Sequence, residues 1–185
     1  MALRAHILRD NFSVDSSRPV TLETLDALGW KIVSSGNSED PEEAAKRIAQ
    51  DWGFPVTHAG SIVPFDLSPA AANFSQVESI LSVVAQKKSY AYNLESLALL
   101  KSGNISLDLE DPVSKNWIRF ELGPGQGLGI PAGCKFRPHW NNQSNKGPIG
   151  IWLLNGDVSN VRTIAEEELD MSAIHQAYLT SIKAI

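Results

Sequence analysis

The 185-residue sequence predicts a mainly β chain, an antiparallel barrel or sandwich with several α-helices beside it. Three observations predict it. Short strand-length runs follow one another from residue 89 to 154, separated by Gly, Pro and Asn turns. Within them, Ile105, Leu107 and Leu109 alternate with Ser106, Asp108 and Glu110, the period of a strand with one face buried. Strong helix-start signals are confined to the first half and the tail.

In chain order, Ala2 to Leu8 reads as a first strand. Thr21 can cap a short helix that repeats Leu22, Leu25 and Leu28 and ends at Gly29. Trp30 to Val33 is extended. Asp40-Pro41-Glu42-Glu43 places an N-cap, a first-turn proline and first-turn acids in order, so a helix follows, with Ala44, Ala45, Ile48 and Trp52 on one face and Gly53 as its stop. Gly60 to Phe65 is a further strand. Ser75-Gln76-Val77-Glu78 is a capping box that opens an amphipathic helix carrying Val77, Ile80, Leu81 and Val84. Ser89 to Leu100 is extended, and Gly103-Asn104 turns the chain. Trp117 to Leu122 alternates again and ends at Gly123-Pro124-Gly125-Gln126-Gly127. A strand enters Pro131-Ala132-Gly133 and another leaves it; the two are expected to pair, since proline fixes φ and glycine can take φ > 0. A polar loop from Asn141 to Pro148 leads to a last strand, Ile149 to Leu154. Glu166-Glu167-Glu168 is a helix start, and the tail repeats Met171, Ile174, Tyr178 and Ile182 at helical spacing against the outside of the fold.

Composition excludes several classes. Apolar residues are 43% and charged residues 20%, the balance of a globular chain able to bury one core. The net charge is −5 with no Lys/Arg cluster, so no nucleic acid and no anionic membrane surface is expected as a partner. No apolar run approaches the roughly 20 residues of a membrane helix. Met1 to Arg9 is too short and interrupted for a signal peptide. The single Cys134 precludes an intrachain disulfide and a cysteine-based zinc site. A cytoplasmic protein is the default expectation.

Taken in order, the segments resemble the acireductone dioxygenase family of the cupin superfamily, over nearly the whole chain. Arg18-Pro19-Val20 to Leu28-Gly29 is similar to that family's N-terminal helix; Leu97 to Leu109 with Gly103 to its strand-turn-strand; Asn116-Trp117-Ile118-Arg119 to its "x-Trp-Ile-Arg"; Ile130-Pro131-Ala132-Gly133 to its "Leu-Pro-Ala-Gly". The resemblance implies a cupin-type antiparallel β-barrel with flanking helices over residues 1–185: N-terminal strands and helices in 1–88, the barrel core in 89–156 and a helical tail in 157–185. It also implies a metal site, His-x-His-x-x-x-Glu on one strand plus a histidine three residues after the Pro-Ala-Gly turn. Laid on this sequence those positions are Ser89, Ala91, Glu95 and Phe136, so three imidazoles are missing and no metal cofactor is expected. His6, His58, His139 and His175 lie elsewhere in the pattern. On the family's substrate side, Leu97 stands where an arginine is expected and Asn160 where a tryptophan is.

Strand parity then places Ser89, Ala91, Leu97, Leu99, Cys134 and Phe136 inward with Glu95. A carboxylate between apolar walls loses solvation, its pKa rises, and it suits general acid–base work. The expected function is a metal-independent cupin enzyme, an isomerase, cyclase or lyase, acting on a small apolar substrate. Glu95 and Ser89 would be catalytic; Ala91, Leu97, Phe136, Cys134 and Trp140 would contact substrate. Each has a plainer reading: Glu95 as a satisfied polar group, Cys134 as an inert thiol, Tyr90 and Tyr92 as packing on the opposite face, Lys135 and Arg137 as solvated charges. Two alternatives stand beside the enzyme, a non-catalytic cupin that binds a small molecule or protein, and a metal oxygenase with altered ligands. An apolar strand edge is compatible with a homodimer.

Overall fold

The computed structural model describes residues 4–36, 40–56, 59–67, 89–139 and 147–184. The strands of these residues form two antiparallel sheets. The larger has the order β12 (Thr163–Ala165), β5 (Tyr90–Tyr92), β10 (Phe136–His139), β7 (Ile105–Glu110), β8 (Trp117–Leu122), β1 (Arg4–Leu8) and β2 (Val14–Pro19). The smaller has the order β3 (Lys31–Ser34), β9 (Gln126–Ile130), β6 (Ser96–Ser102), β11 (Ile149–Leu154) and β4 (Ile62–Asp66). Strands from the first 66 residues therefore extend both sheets rather than only flanking them. Strand β2, polar and ending at Pro19, lies on a sheet edge and carries no hydrophobic alternation that would announce it.

Both faces of the smaller sheet are apolar. Inward, Leu100 and Leu128 meet Leu107, Leu109, Ile118 and Phe120 of the larger sheet, with Trp30 between them. Outward, Leu97, Leu99, Ile151 and Leu153 receive Ala45, Ile48 and Ala49 of helix α2 (Pro41–Asp51). Each such leucine, fully buried, contributes about 1.5–3 kcal/mol of transfer free energy. Helix α1 (Leu22–Ala27) begins as its sequence requires: Thr21 Oγ1 accepts from the Thr24 N–H. In α2 the Asp40 side chain caps the Glu43 N–H. Gly29 and Gly53 follow these helices at positive φ. The amphipathic helix expected from Ser75 lies outside the described residues.

Two expected pairings differ. Ser89 to Leu100 is two strands, β5 in one sheet and β6 in the other, broken at residues 93–95. The strands either side of Pro131-Ala132-Gly133 do not pair with each other: β9 pairs with β3 and β6, β10 with β5 and β7. The turn is a corner that carries the chain from one sheet to the other. Gly133 sits there at φ 78°, its N–H donating to the Tyr92 carbonyl at 2.8 Å, and an added Cβ would lie 2.5 Å from the Ile174 carbonyl oxygen. Only glycine fits. Helix α3 (Ala173–Ser181) clasps this corner from outside: His175 Nδ1 lies 2.7 Å from the Gly133 carbonyl, and the Tyr178 hydroxyl donates to the Leu28 carbonyl at 3.1 Å. Met171, assigned to the same stripe by spacing, is instead exposed.

Candidate functional site: an aromatic cavity inside the barrel

On β6, Ala98 and Leu100 face the barrel interior while Leu97 and Leu99 face α2. Side chains alternate, so Ser96 faces inward too. On β5 the inward pair is Tyr90 and Tyr92, since both line the interior with Phe136. Together with Trp152 of β11 they enclose a cavity of about 130 Å³. Its remaining walls include Phe65, Leu107, Leu122 and Ile130, and its lining among the described residues holds no charged side chain. Two of its lining residues, Leu67 and Ile105, are partly exposed.

The aromatic groups touch one another. The Tyr90 ring centroid lies 4.8 Å from that of Phe136 and 5.4 Å from that of Tyr92. Tyr92 lies 5.3 Å from Phe136 and 5.1 Å from Trp152. Burial pushes the Tyr90 hydroxyl well above the ordinary phenol range, and the neighbouring Tyr92 pushes it further. Burial raises Tyr92 as well, partly offset by the Tyr90 hydroxyl. Both phenols are therefore neutral at physiological pH, each close enough to polarise the other. For scale, a dry apolar cavity of about 150 Å³ admits benzene. This one is slightly smaller.

The structure distributes the residues singled out by sequence quite differently. Phe136 is in the cavity wall as expected. Glu95 is not: it precedes β6, its side chain is 36% exposed, and its carboxylate faces Lys31 Nζ at 3.9 Å. Ser89 is buried, but its hydroxyl donates to Glu166 Oε2 at 2.6 Å. Ala91 is buried where β5 pairs with β12, opposite Ile164. Leu97 belongs to the layer under α2. Cys134 packs in the core behind the corner, its thiol donating to the Pro131 carbonyl at 2.9 Å, and burial raises its pKa well above the ordinary value, so it is an unreactive thiol. Trp140 and His58 lie outside the described residues.

The inward frame is thus one residue along from the expected one. At the spacing of His-x-His-x-x-x-Glu the interior presents Tyr90, Tyr92 and Ser96, and Phe136 stands after the corner. Tyr-x-Tyr-x-x-x-Ser fits the pattern as well as Ser-x-Ala-x-x-x-Glu. The frame set by Glu95 puts Ser89, Ala91 and Leu97 inward, whereas none of the three lines the cavity. Among the described residues no three His, Cys, Asp or Glu side chains converge. Two neutral phenols, a serine and a phenyl ring do not fit an Fe²⁺ or Ni²⁺ site, which needs imidazole and carboxylate donors.

Outside the barrel wall the charges are committed. Asp108, 1% exposed, accepts from Arg119 Nε at 2.6 Å and from Arg137 Nε at 2.9 Å. The Arg137 guanidinium stacks between Phe12, 4.1 Å away, and Trp117, 4.4 Å away. Lys135 bridges Glu166 at 2.7 Å and Glu110 at 3.5 Å. Burial raises Glu166, but the hydrogen bonds from Lys135 and Ser89 outweigh it and hold the carboxyl below its usual range. Glu166 therefore ties β5, β10 and the C-terminal segment together, a role not anticipated for it. A wider crevice of about 630 Å³ lies near Asn93, Arg162 and Glu168, with mixed polar and apolar walls, and local hydrogen bonds occupy Asn93.

Two sheets closed over an apolar interior, with the chain crossing between them at a Pro-x-Gly corner, define a cupin β-barrel. An acireductone dioxygenase from Bacillus anthracis, solved with a cadmium ion in its active centre, superposes with a TM-score of 0.55 at 12% identity, over 83% of this chain and 94% of that one. A TDP-quinovose 3,4-ketoisomerase from Campylobacter jejuni gives 0.48 at 16% identity, over 77% and 98%. At such identity the likeness establishes the fold alone. No protein-family model and no curated protein sequence matches the chain. Among the described residues no helix is long and apolar enough to cross a membrane.

Proposed function

We propose that this chain is a metal-independent cupin that takes a small, neutral, ring-sized molecule into the barrel. One observation carries the reading. Two neutral phenols and a phenyl ring at metal-ligand spacing line a cavity of about 130 Å³ in which no charged side chain stands among the described residues. Such walls favour apolar surface and penalise an unpaired charge. Among the described residues of the lining, an anionic ligand would find no cation.

The Tyr90–Tyr92 pair favours a second reading, in which the bound molecule also reacts. A buried neutral phenol polarised by a second one can donate a proton or a strong hydrogen bond to a substrate oxygen. An isomerase, cyclase or lyase reaction would then be assigned to these tyrosines and not to Glu95.

The test is metal content together with ligand uptake. Protein purified and then exposed to Fe²⁺ or Ni²⁺ should retain no stoichiometric metal by elemental mass spectrometry. The same protein should bind cyclohexanone saturably, with shifts of the Ala98 and Phe136 amide resonances. Stoichiometric metal whose removal abolishes that binding would overturn the proposal, as would a failure of small ring compounds to perturb the cavity resonances.

A further inference from the structure

Among the described residues of the cavity lining, the polar side chains are Tyr90, Tyr92 and Trp152. The two phenols are stronger donors than the indole, and each can also accept. Their rings meet edge to face, with centroids 5.4 Å apart. Among the described residues, the only polar group that acts on either hydroxyl is the other one. The two are not equivalent. Tyr90 is 6% exposed, whereas Tyr92 keeps accessible surface, as do its neighbour Trp152, 5.1 Å away, and Ala98, directly opposite Trp152 on the next strand.

The bond between the hydroxyls also has a direction. Burial raises both; beyond that, the contact with Tyr92 raises Tyr90 further, while the contact with Tyr90 lowers Tyr92. A phenol that donates holds its proton harder, and one that accepts releases its own more easily. Donation therefore runs from Tyr90 to Tyr92. The Tyr92 O–H is then left over, strengthened as a donor because its oxygen already accepts a bond. It is the more accessible of the two, and the walls around it offer no acceptor among the described residues.

We infer that the ligand is a small carbonyl compound, a ketone or aldehyde in class, whose oxygen accepts from the Tyr92 hydroxyl, with Tyr90 as the positioning residue that orients and polarises Tyr92. The inference rests on the proposed binding function and adds the chemical class and the residue that reads it. A carbonyl meets a free donor and brings no donor of its own that apolar walls would have to satisfy. A hydrocarbon of the same shape leaves the Tyr92 O–H without a partner. An anion is disfavoured, since no cation lines the cavity among the described residues.

The experiment compares cyclohexanone with methylenecyclohexane, in which a CH₂ group replaces the oxygen. Each is titrated into wild-type protein, Tyr92→Phe and Tyr90→Phe, with dissociation constants read from amide shifts. Comparing the ratio of the two constants between proteins removes their different affinities for water. Both substitutions keep the ring and its packing. The preference for the ketone should fall about fivefold in Tyr92→Phe, the value of one net hydrogen bond, and only about twofold in Tyr90→Phe, where a polarising neighbour alone is lost. Infrared spectroscopy supplies a readout that needs no variant. The carbonyl stretch of bound cyclohexanone should lie below its value in cyclohexane solution, return to that value in Tyr92→Phe and lie between the two in Tyr90→Phe. A wild-type stretch equal to that in cyclohexane, or an unchanged ratio in Tyr92→Phe with both compounds bound, overturns the inference and leaves the binding function standing. A larger loss in Tyr90→Phe than in Tyr92→Phe overturns the assigned direction of donation. Failure of both compounds to bind wild-type protein defeats the binding function itself.

Discussion

Tyr90 and Phe136 stand directly opposite each other on paired strands, with ring centroids 4.8 Å apart. Cross-strand partners share a face. Phe136 points into the barrel, so Tyr90 must as well, and Tyr92 two residues on follows it. That one pairing sets the identity of the site. It replaces a carboxylate-centred pocket with an aromatic one.

Glu95→Gln should leave ligand binding and any turnover unchanged. The carboxylate is outside the cavity lining and faces Lys31 at 3.9 Å on a partly exposed surface. Such a pair is worth at most about 1 kcal/mol, so the urea midpoint should barely move. Loss of cyclohexanone binding in this variant would return Glu95 to the site.

Two alanines on neighbouring strands should behave in opposite ways. Ala98→Leu projects into the cavity, so it should abolish ligand binding with stability unchanged or raised. Ala91→Leu pushes into the fully buried outer face of β5 and should destabilise the fold by about 1–3 kcal/mol. Denaturant melts and amide-shift titrations of both variants distinguish the faces. Equal effects would contradict the assigned parity.

All three tyrosines of the chain, Tyr90, Tyr92 and Tyr178, have raised hydroxyl pKa values, with burial the leading cause of each. The folded state therefore keeps protons that the unfolded chain releases near pH 10, the ordinary phenol value. The resulting stabilisation is complete below pH 10 and is lost as pH climbs through the folded-state values. A spectrophotometric alkaline titration should show almost no phenolate at pH 10, then ionisation coincident with loss of the far-ultraviolet β signal. A tyrosine ionising freely at its ordinary pKa in folded protein would refute the burial assigned to it.

Asp108→Ala should cost about 3–5 kcal/mol, because it strands two guanidinium groups that now share one buried carboxylate. Charge steering by Arg137 is not expected to matter for ligand entry, since that guanidinium is held by Asp108 and stacked on Phe12 and Trp117. The unfolding free energy in urea provides the measurement. A change below about 1 kcal/mol, the range of exposed pairs, would mean the cluster is merely a surface feature.

Much of the architecture was legible in the sequence by itself. Thr21 and Asp40 announce their helices because a capping side chain and the helix it caps are neighbours in the chain. Ile105, Leu107 and Leu109 announce a strand by period alone, and Gly133 announces a turn, though not that the turn crosses between sheets, because few other residues adopt its φ. That no histidine stands at these positions was also legible, since Phe136 follows the corner and neither possible frame of the preceding strand supplies one.

The frame itself was decided only by the tertiary structure. Strands β5 and β6 are apolar or aromatic on both faces, because one face meets the barrel interior and the other is buried too, β6 under helix α2 and β5 against the Glu166–Met171 segment. A strand buried on both sides has no binary pattern from which inward and outward can be told apart. The difference came from long-range pairing, Tyr90 against Phe136 and Ser96 against Ile130. Local chemistry could name two tyrosines and a phenylalanine, but only the closing of one sheet over the other placed them around a common cavity.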